Sequence, residues 1–186
     1  SKSRTVSYNG LQANTRYQAT YVVTDSGGLS ATNELSFDTF VEAQVKILEG
    51  EDYNFVNGLF VDDPVPGAYY GAYGTPGVDY LDLTPASLGE YRPGDASDTA
   101  QTADLARSKF VTAGVPDYDI ATVVGGEWWN YTRTLAAGRY YAYVRVATTA
   151  AQGMRLDRVA DATQASQALS YLGTFPIPRT GTLSLY

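Results

Sequence analysis

The sequence predicts an all-β protein, with antiparallel strands closing into a β-sandwich of the jelly-roll kind. Three observations predict it. Gly (18 residues) and Tyr (16 residues) are unusually frequent and β-branched residues are plentiful, a mix that favours strands and turns over helices. Apolar residues alternate singly, as at Tyr17, Ala19, Tyr21 and Val23, which is the period of a half-buried strand. From Asp117 onward, strand-like segments recur at roughly 10–15-residue intervals with glycine at the turns, the spacing of a sandwich or jelly roll.

Composition bounds the function. The 186 residues suffice for one large domain, or one domain and a fragment, and 44% hydrophobic content is enough for a core. The formal net charge is −7, and no basic run tracks phosphates, so no nucleic-acid partner is expected. An acidic surface is repelled by anionic lipid, and no stretch approaches the roughly 18 apolar residues of a membrane span, so no membrane insertion is expected. Cys and His are absent, which excludes disulfides, thiolate zinc sites, cysteine nucleophiles and Ser-His-Asp triads.

Residues 1–40 predict strands and turns. Leu11, Thr15 and Tyr17 have the spacing of a tyrosine corner, in which a Tyr hydroxyl bonds to backbone a few residues upstream. A strand through Tyr17–Val23, a turn at Asp25–Gly28 and a strand in "TNELSFDTF" follow. This stretch resembles the last strands of a fibronectin type III or related immunoglobulin-like domain, although Ala13 stands where that family usually has Pro. It is expected to be the C-terminal fragment of such a domain.

A second unit is expected over 45–186. Gly58–Gly89 is rich in Gly, Pro, Tyr and Asp and has no periodicity; long irregular segments inside a domain are usually functional or disordered. Pro93–Ser108 is small and polar, a loop with at most one helical turn. The later strands are expected in "YDIATVV", "EWWNYTRTL", "GRYYAYVRVAT", "GMRLDRVA", "QALSYLGTFPI" and "GTLSLY", the last of them cut by the C-terminus.

Three pieces of this unit, in order, are similar to family-6-type carbohydrate-binding modules: "LEGEDYNF" at 48–55, "GGEWWNYTRTLAAGRYYAYVRVAT" at 125–148 and "LGTFPIPRTG" at 172–181. The resemblance implies a jelly roll, a structural calcium site, and non-catalytic binding of polysaccharide or glycan. It also implies attachment, beside neighbouring domains, to a larger secreted or cell-surface protein, often bacterial. Strand geometry points independently to the metal. Glu49 and Glu51 lie two residues apart and would share one face, roughly 6–7 Å apart at Cα. Like charges so placed repel unless a cation lies between them, and oxygen ligands suit Ca²⁺. Solvation of both carboxylates on an edge strand is the alternative. The late Asp that completes the family's calcium shell has no counterpart before Tyr186.

In the resembling family an apical cleft carries two aromatics. Here those positions fall near Thr122 and at about Leu183, so neither is aromatic. The remaining ligand-binding candidates are Tyr69, Tyr70, Tyr73, Tyr80 and Asp79 in the irregular loop, and Tyr141, Tyr143 and Arg145 on the outer face of "RYYAYVRVA". Trp128 joins them, with packing its competing role. Trp129 and Tyr131, with Tyr140, Ala142, Val144 and Val146, are expected to face the core. Carboxylate pairs such as Glu49 with Glu51, or Glu127 with Asp52, carry no signal of one raised and one ionised acid in a cleft, so no catalysis is expected. A structural or adhesive spacer without sugar binding is the alternative function.

Overall fold

The computed structural model describes residues 5–41, 44–85, 89–102 and 114–183. Readings that fall on 103–108 or 184–186 therefore lie outside the described residues. The chain divides into two compact units, Ser1–Lys46 and Ile47–Tyr186.

In the first unit, β1 (Arg16–Thr24) and β2 (Ser30–Asp38) pair antiparallel from Arg16↔Asp38 to Thr24↔Ser30. The turn sets this register. Asp25 Oδ1 accepts the Gly27 and Leu29 backbone N–H groups at 2.8 and 3.0 Å, and Gly28 takes φ +85°, where an L side chain is strained. Tyr17 falls opposite Phe37, and the two rings stack with centroids 5.7 Å apart. The Tyr17 hydroxyl accepts the Gln12 N–H at 2.7 Å, which is the corner bond that the Leu11–Thr15–Tyr17 spacing predicts.

Among the described residues, the second unit holds six strands in three two-stranded ladders. β3 (Tyr80–Leu81) pairs with β6 (Trp128–Trp129), β4 (Thr99–Gln101) with β5 (Tyr118–Ile120), and β7 (Gln152–Val159) with β8 (Leu169–Ile177), all antiparallel. The β7–β8 register shifts at Leu156/Asp157, so Leu172 is an extra residue on β8. Among the described residues there is no α-helix, and the chain is all-β in that sense. Among the described residues each ladder is two strands wide.

One expected strand is corrected. Residues 138–148 form no ladder, and Tyr140, Ala142 and Val144 are exposed, so this stripe is not a core face. Alternating sequence makes a segment competent to pair, but a strand needs a neighbour bonded along its length; here the described residues show such a neighbour at the segment's end, where the Thr148 carbonyl accepts the Thr180 and Gly181 N–H groups at 3.0 and 3.2 Å.

The core of the second unit is built from phenols. Tyr53, Tyr69, Tyr80 and Tyr91 are buried, with Val78 and Ile177. Tyr53 and Tyr80 pack at 5.2 Å between centroids, and Gly74 fits against them because it has no side chain: a Cβ there would come within 2.9 Å of both rings. Arg92 is fully buried among them. Its guanidinium lies 3.7 Å from the Tyr53 ring centroid, donates to the backbone carbonyls of Tyr53 and Asn54, and stands 4.0 Å from Asp95. Ring faces and carbonyls thus replace the water that a cation loses on burial.

The irregular loop is ordered by a second buried charge, Asp79. Its Oδ2 accepts the Asn57 and Thr75 N–H groups at 3.0 and 2.8 Å, and its Oδ1 accepts Gly58 N–H at 2.7 Å. This holds Val56, Asn57 and Gly58 in three successive left-handed conformations, with φ of 45°, 60° and 91°. For a β-branched residue that is a true outlier.

Two outcomes are expected. Tyr17→Phe removes the corner acceptor and lowers the first unit's stability by about 1 kcal/mol, read as faster hydrogen exchange at the Gln12 amide. Val56→Gly relieves left-handed strain at an exposed side chain and raises the second unit's stability by about 1 kcal/mol, read as a higher urea midpoint.

Candidate functional site

The sequence-predicted metal pair, Glu49 and Glu51, lies at a small, partly open cavity with four acids in its lining. The hairpin-like bend at 49–52 closes through the Asp52 N–H, which donates to the Glu49 carbonyl at 3.2 Å. Gly50 separates the two acids and is held from two sides. The Tyr131 hydroxyl donates to its carbonyl at 2.7 Å, and a Cβ on it would meet the Ile120 side chain at 3.7 Å, so β5 packs on this backbone. The cavity has a volume of about 10 Å³, room for about one water-sized occupant, and Asp52, Tyr91, Asp117 and Tyr118 line it with the two glutamates.

All four acids are buried. Asp52 Oδ1 accepts the Tyr91 hydroxyl at 2.8 Å, whereas Glu51 Oε2 is buried with no hydrogen-bond partner. Burial, then the neighbouring Glu49 carboxylate, pushes Glu51 up to about 9. Burial also raises Asp52, against the lowering effect of the Tyr91 bond and of Arg133 and Arg92.

The carboxylates at this cavity, one with an orphaned buried oxygen, are the donor type that a hard cation such as Ca²⁺ takes, although Pro66, Gly67 and Pro116 form part of the wall. Among the described residues, however, no three acids are gathered as a metal-ligand group. Glu49 and Glu51 line the cavity together with Asp52 and Asp117.

The ligand-binding candidates separate into two sets. Tyr69, Tyr80 and Asp79 are corrected to core residues. The Tyr69 hydroxyl donates to the Val61 carbonyl at 3.1 Å and accepts from Val61 N–H and Arg133, Tyr80 accepts the Ala96 N–H at 2.9 Å, and Asp79 is spent on backbone. A phenol needs a partner for its hydroxyl when buried, and loops offer many. Tyr70 and Tyr73 instead stand 62% and 53% exposed. Tyr70 packs its edge on Tyr91 at 6.0 Å, and Tyr73 lies so close to Gly94 that a Cβ there would approach its ring to 2.6 Å. The turn between them is fixed by Gly71 N–H to the Tyr91 carbonyl and Ala72 N–H to the Tyr69 carbonyl.

Tyr141, Tyr143 and Arg145 are exposed on the unladdered segment. Trp128 and Trp129 are half-buried across from Leu81 and Tyr80, and the Trp129 indole donates to Ser97 at 2.8 Å. Tyr131, expected in the core, keeps its ring partly exposed. The trial catalytic acid Glu127 is a loop clamp. Its carboxylate accepts Leu83 N–H, the Thr84 hydroxyl and Val124 N–H at 2.9, 3.2 and 2.8 Å, and these bonds hold it below the usual carboxylate range despite its partial burial.

Sequence reasoning did not single out Asp117, Tyr91 or Arg92. Each reaches the site through contacts distant in sequence, so no local spacing could have signalled them. No protein-family model, curated protein or solved structure matches the chain.

The raised Glu51 carboxyl makes a signed prediction. A group whose folded value exceeds its unfolded value contributes stability that is complete below the unfolded value and is lost as pH rises toward the folded one. With divalent cations chelated, stability should fall from about pH 4.5 to about pH 9, and Asp52 adds in the same sense. The slope is on the order of 1 kcal/mol per pH unit. Urea melts across this window measure it, and Glu51→Gln should flatten it.

Proposed function

We propose that the chain is a non-catalytic carbohydrate-binding module, which holds a larger secreted or surface protein against polysaccharide. On this reading the second unit is a jelly-roll module of the family-6 type, and the first unit is the C-terminal part of a fibronectin-like domain. The observation that carries the reading is the pair of half-exposed phenols, Tyr70 and Tyr73, each packed against a fixed neighbour at one end of an irregular crown. Rigid, amphipathic rings lose little conformational entropy when a sugar's C–H face settles on them, and their hydroxyls remain available to polar partners. Ca²⁺, held by Glu49 and Glu51, stiffens the fold beneath the crown without touching the ligand.

A spacer or adhesive module is the second reading. It is favoured by the burial of Tyr69, Tyr80 and Asp79, which removes three of the crown's polar or aromatic groups from any ligand. Thr122 and Leu183, where the resembling family carries cleft aromatics, favour it too.

Retention on insoluble polysaccharides separates the two. Tyr70→Ala and Tyr73→Ala should each weaken binding by about three- to tenfold, with the melting midpoint unchanged. Loss of binding in Tyr141→Ala or Tyr143→Ala, with the crown variants intact, would move the site to the 139–146 segment. Failure of the unaltered chain to bind any polysaccharide leaves the spacer.

A further inference from the structure

We infer that Asp82 and Glu127 share one proton and act as a pH-sensitive latch, which pins the loop at 121–127 to the bend at 82–84 in acid and loosens toward neutral pH. The two acids flank one end of the β3–β6 ladder, where Leu81 pairs with Trp128: Asp82 follows the first and Glu127 precedes the second.

The latch is built from bonds that cross between loops. Glu127 Oε1 accepts the Leu83 N–H at 2.9 Å and the Thr84 hydroxyl at 3.2 Å, so its carboxylate reaches over the residues that follow Asp82. Asp82 Oδ1 accepts the Thr84 N–H at 2.9 Å, and its Oδ2 accepts the Asp98 N–H at 3.1 Å. The Asp82 and Glu127 carboxyl groups also hydrogen-bond to each other. An ionised carboxylate is acceptor-only, so that bond requires a proton on one of the two. The Asp98 carboxylate and the Tyr80 phenol face Asp82 as well, and Asp98 adds to the repulsion once the shared proton is lost.

The latched loop is held under strain. Thr122 has φ 53°, an outlier for a β-branched residue, and its hydroxyl donates to Asp98. Gly126 takes φ +100° and lies against Leu83; a Cβ on it would meet Leu83 Cδ1 at 3.3 Å. The Val124 N–H donates to Glu127 Oε2 at 2.8 Å, so the same carboxylate closes the loop on itself. Loss of the Asp82–Glu127 bond therefore frees a loop that has strain to release.

Burial, and then the Glu127 and Asp98 charges, raise Asp82 against the lowering effect of its two backbone bonds. Its contribution to stability is complete below its ordinary value of 3.8 and is lost as pH rises through the folded value. Burial acts to raise Glu127 too, but bonds to Val124, Leu83, Thr84 and Asp82 hold it low. Its contribution is present above its ordinary value of 4.5 and is lost as pH falls through the folded value. The latch is tightest at roughly pH 4, with Asp82 protonated and Glu127 ionised, and loosens as Asp82 ionises.

Hydrogen exchange on the full chain reads the latch at the Leu83, Thr84 and Val124 amides, as protection relative to an unstructured peptide at each pH. The Asn57 and Thr75 amides, bonded to Asp79 in the same unit, report any change common to that unit. From about pH 4 to about pH 7, protection at the latch amides should fall about three- to tenfold more than at these controls. Asp82→Asn, which keeps that side chain neutral, should abolish the difference. Carboxyl NMR titration of the unaltered chain should place Asp82 above and Glu127 below their ordinary values. Equal protection changes at latch and control amides overturn the inference, as does a difference that persists in Asp82→Asn. If Asp82→Asn loses protection at every pH, the titration decides: a raised Asp82 with a lowered Glu127 upholds the latch, and ordinary values for both overturn it. Neither polysaccharide nor calcium enters the measurement, so its outcome stands apart from the reading of the crown.

Discussion

The second unit depends on one constraint: backbone N–H and C=O groups in an irregular chain must find partners once water is removed. Short ladders satisfy few of them, so buried side chains take over. Asp79 gathers three N–H groups, Asp95 accepts Gly74 N–H, and Asn54 bonds both the backbone and the hydroxyl of Thr132. Arg92 and the buried phenols do the same for carbonyls and amides. This explains why Tyr, rather than Phe or Leu, fills the core. A phenol adds apolar area and also a hydroxyl that can end a loop's hydrogen-bonding deficit. It also explains how Asp79, Asp95 and Arg92 lie deep in the fold, since each meets backbone donors, backbone carbonyls or an opposite charge.

Glu51 stands out against that background. Most buried carboxylates here are met by protein donors, yet at this bend a Glu51 and a Glu49 oxygen each lack a hydrogen-bond donor and the two glutamates lie side by side. Such a group is either protonated or balanced by a cation, and the two states respond oppositely to pH and to chelation. The same cavity therefore links a stability property to a proposed ligand. The crown is coupled to it through Tyr91, which bonds Asp52 at the cavity and supports Tyr70 at the surface. The proposed calcium and sugar sites are thus joined by a single buried ring.

Legibility differed between the elements. The tyrosine corner was readable because its donor and acceptor lie five residues apart and the motif is local. The β1–β2 hairpin was readable for the same reason, since its turn chemistry sits in Asp25–Gly28. The strand period that paired Glu49 with Glu51 does not hold, because 49–52 is a turn, and both acids reach the cavity from that bend. The segment 138–148 misled, because alternation encodes the capacity to pair and not the presence of a neighbour. Among the crown tyrosines, composition could not distinguish Tyr69 and Tyr80, which turn inward, from Tyr70 and Tyr73, which do not.

By itself, then, the sequence determined the strand-and-turn class, the absence of thiol and imidazole chemistry, and the carboxylates and phenols available for binding. These follow from residue identity and short-range period. Only the tertiary structure decided which phenols are core, that Asp79 and Glu127 serve backbone rather than ligand, and that Asp117 lines the same cavity as the glutamate pair. Those outcomes depend on which distant segments pack together, and burial, the quantity that decides a side chain's role, is a property of the packed whole.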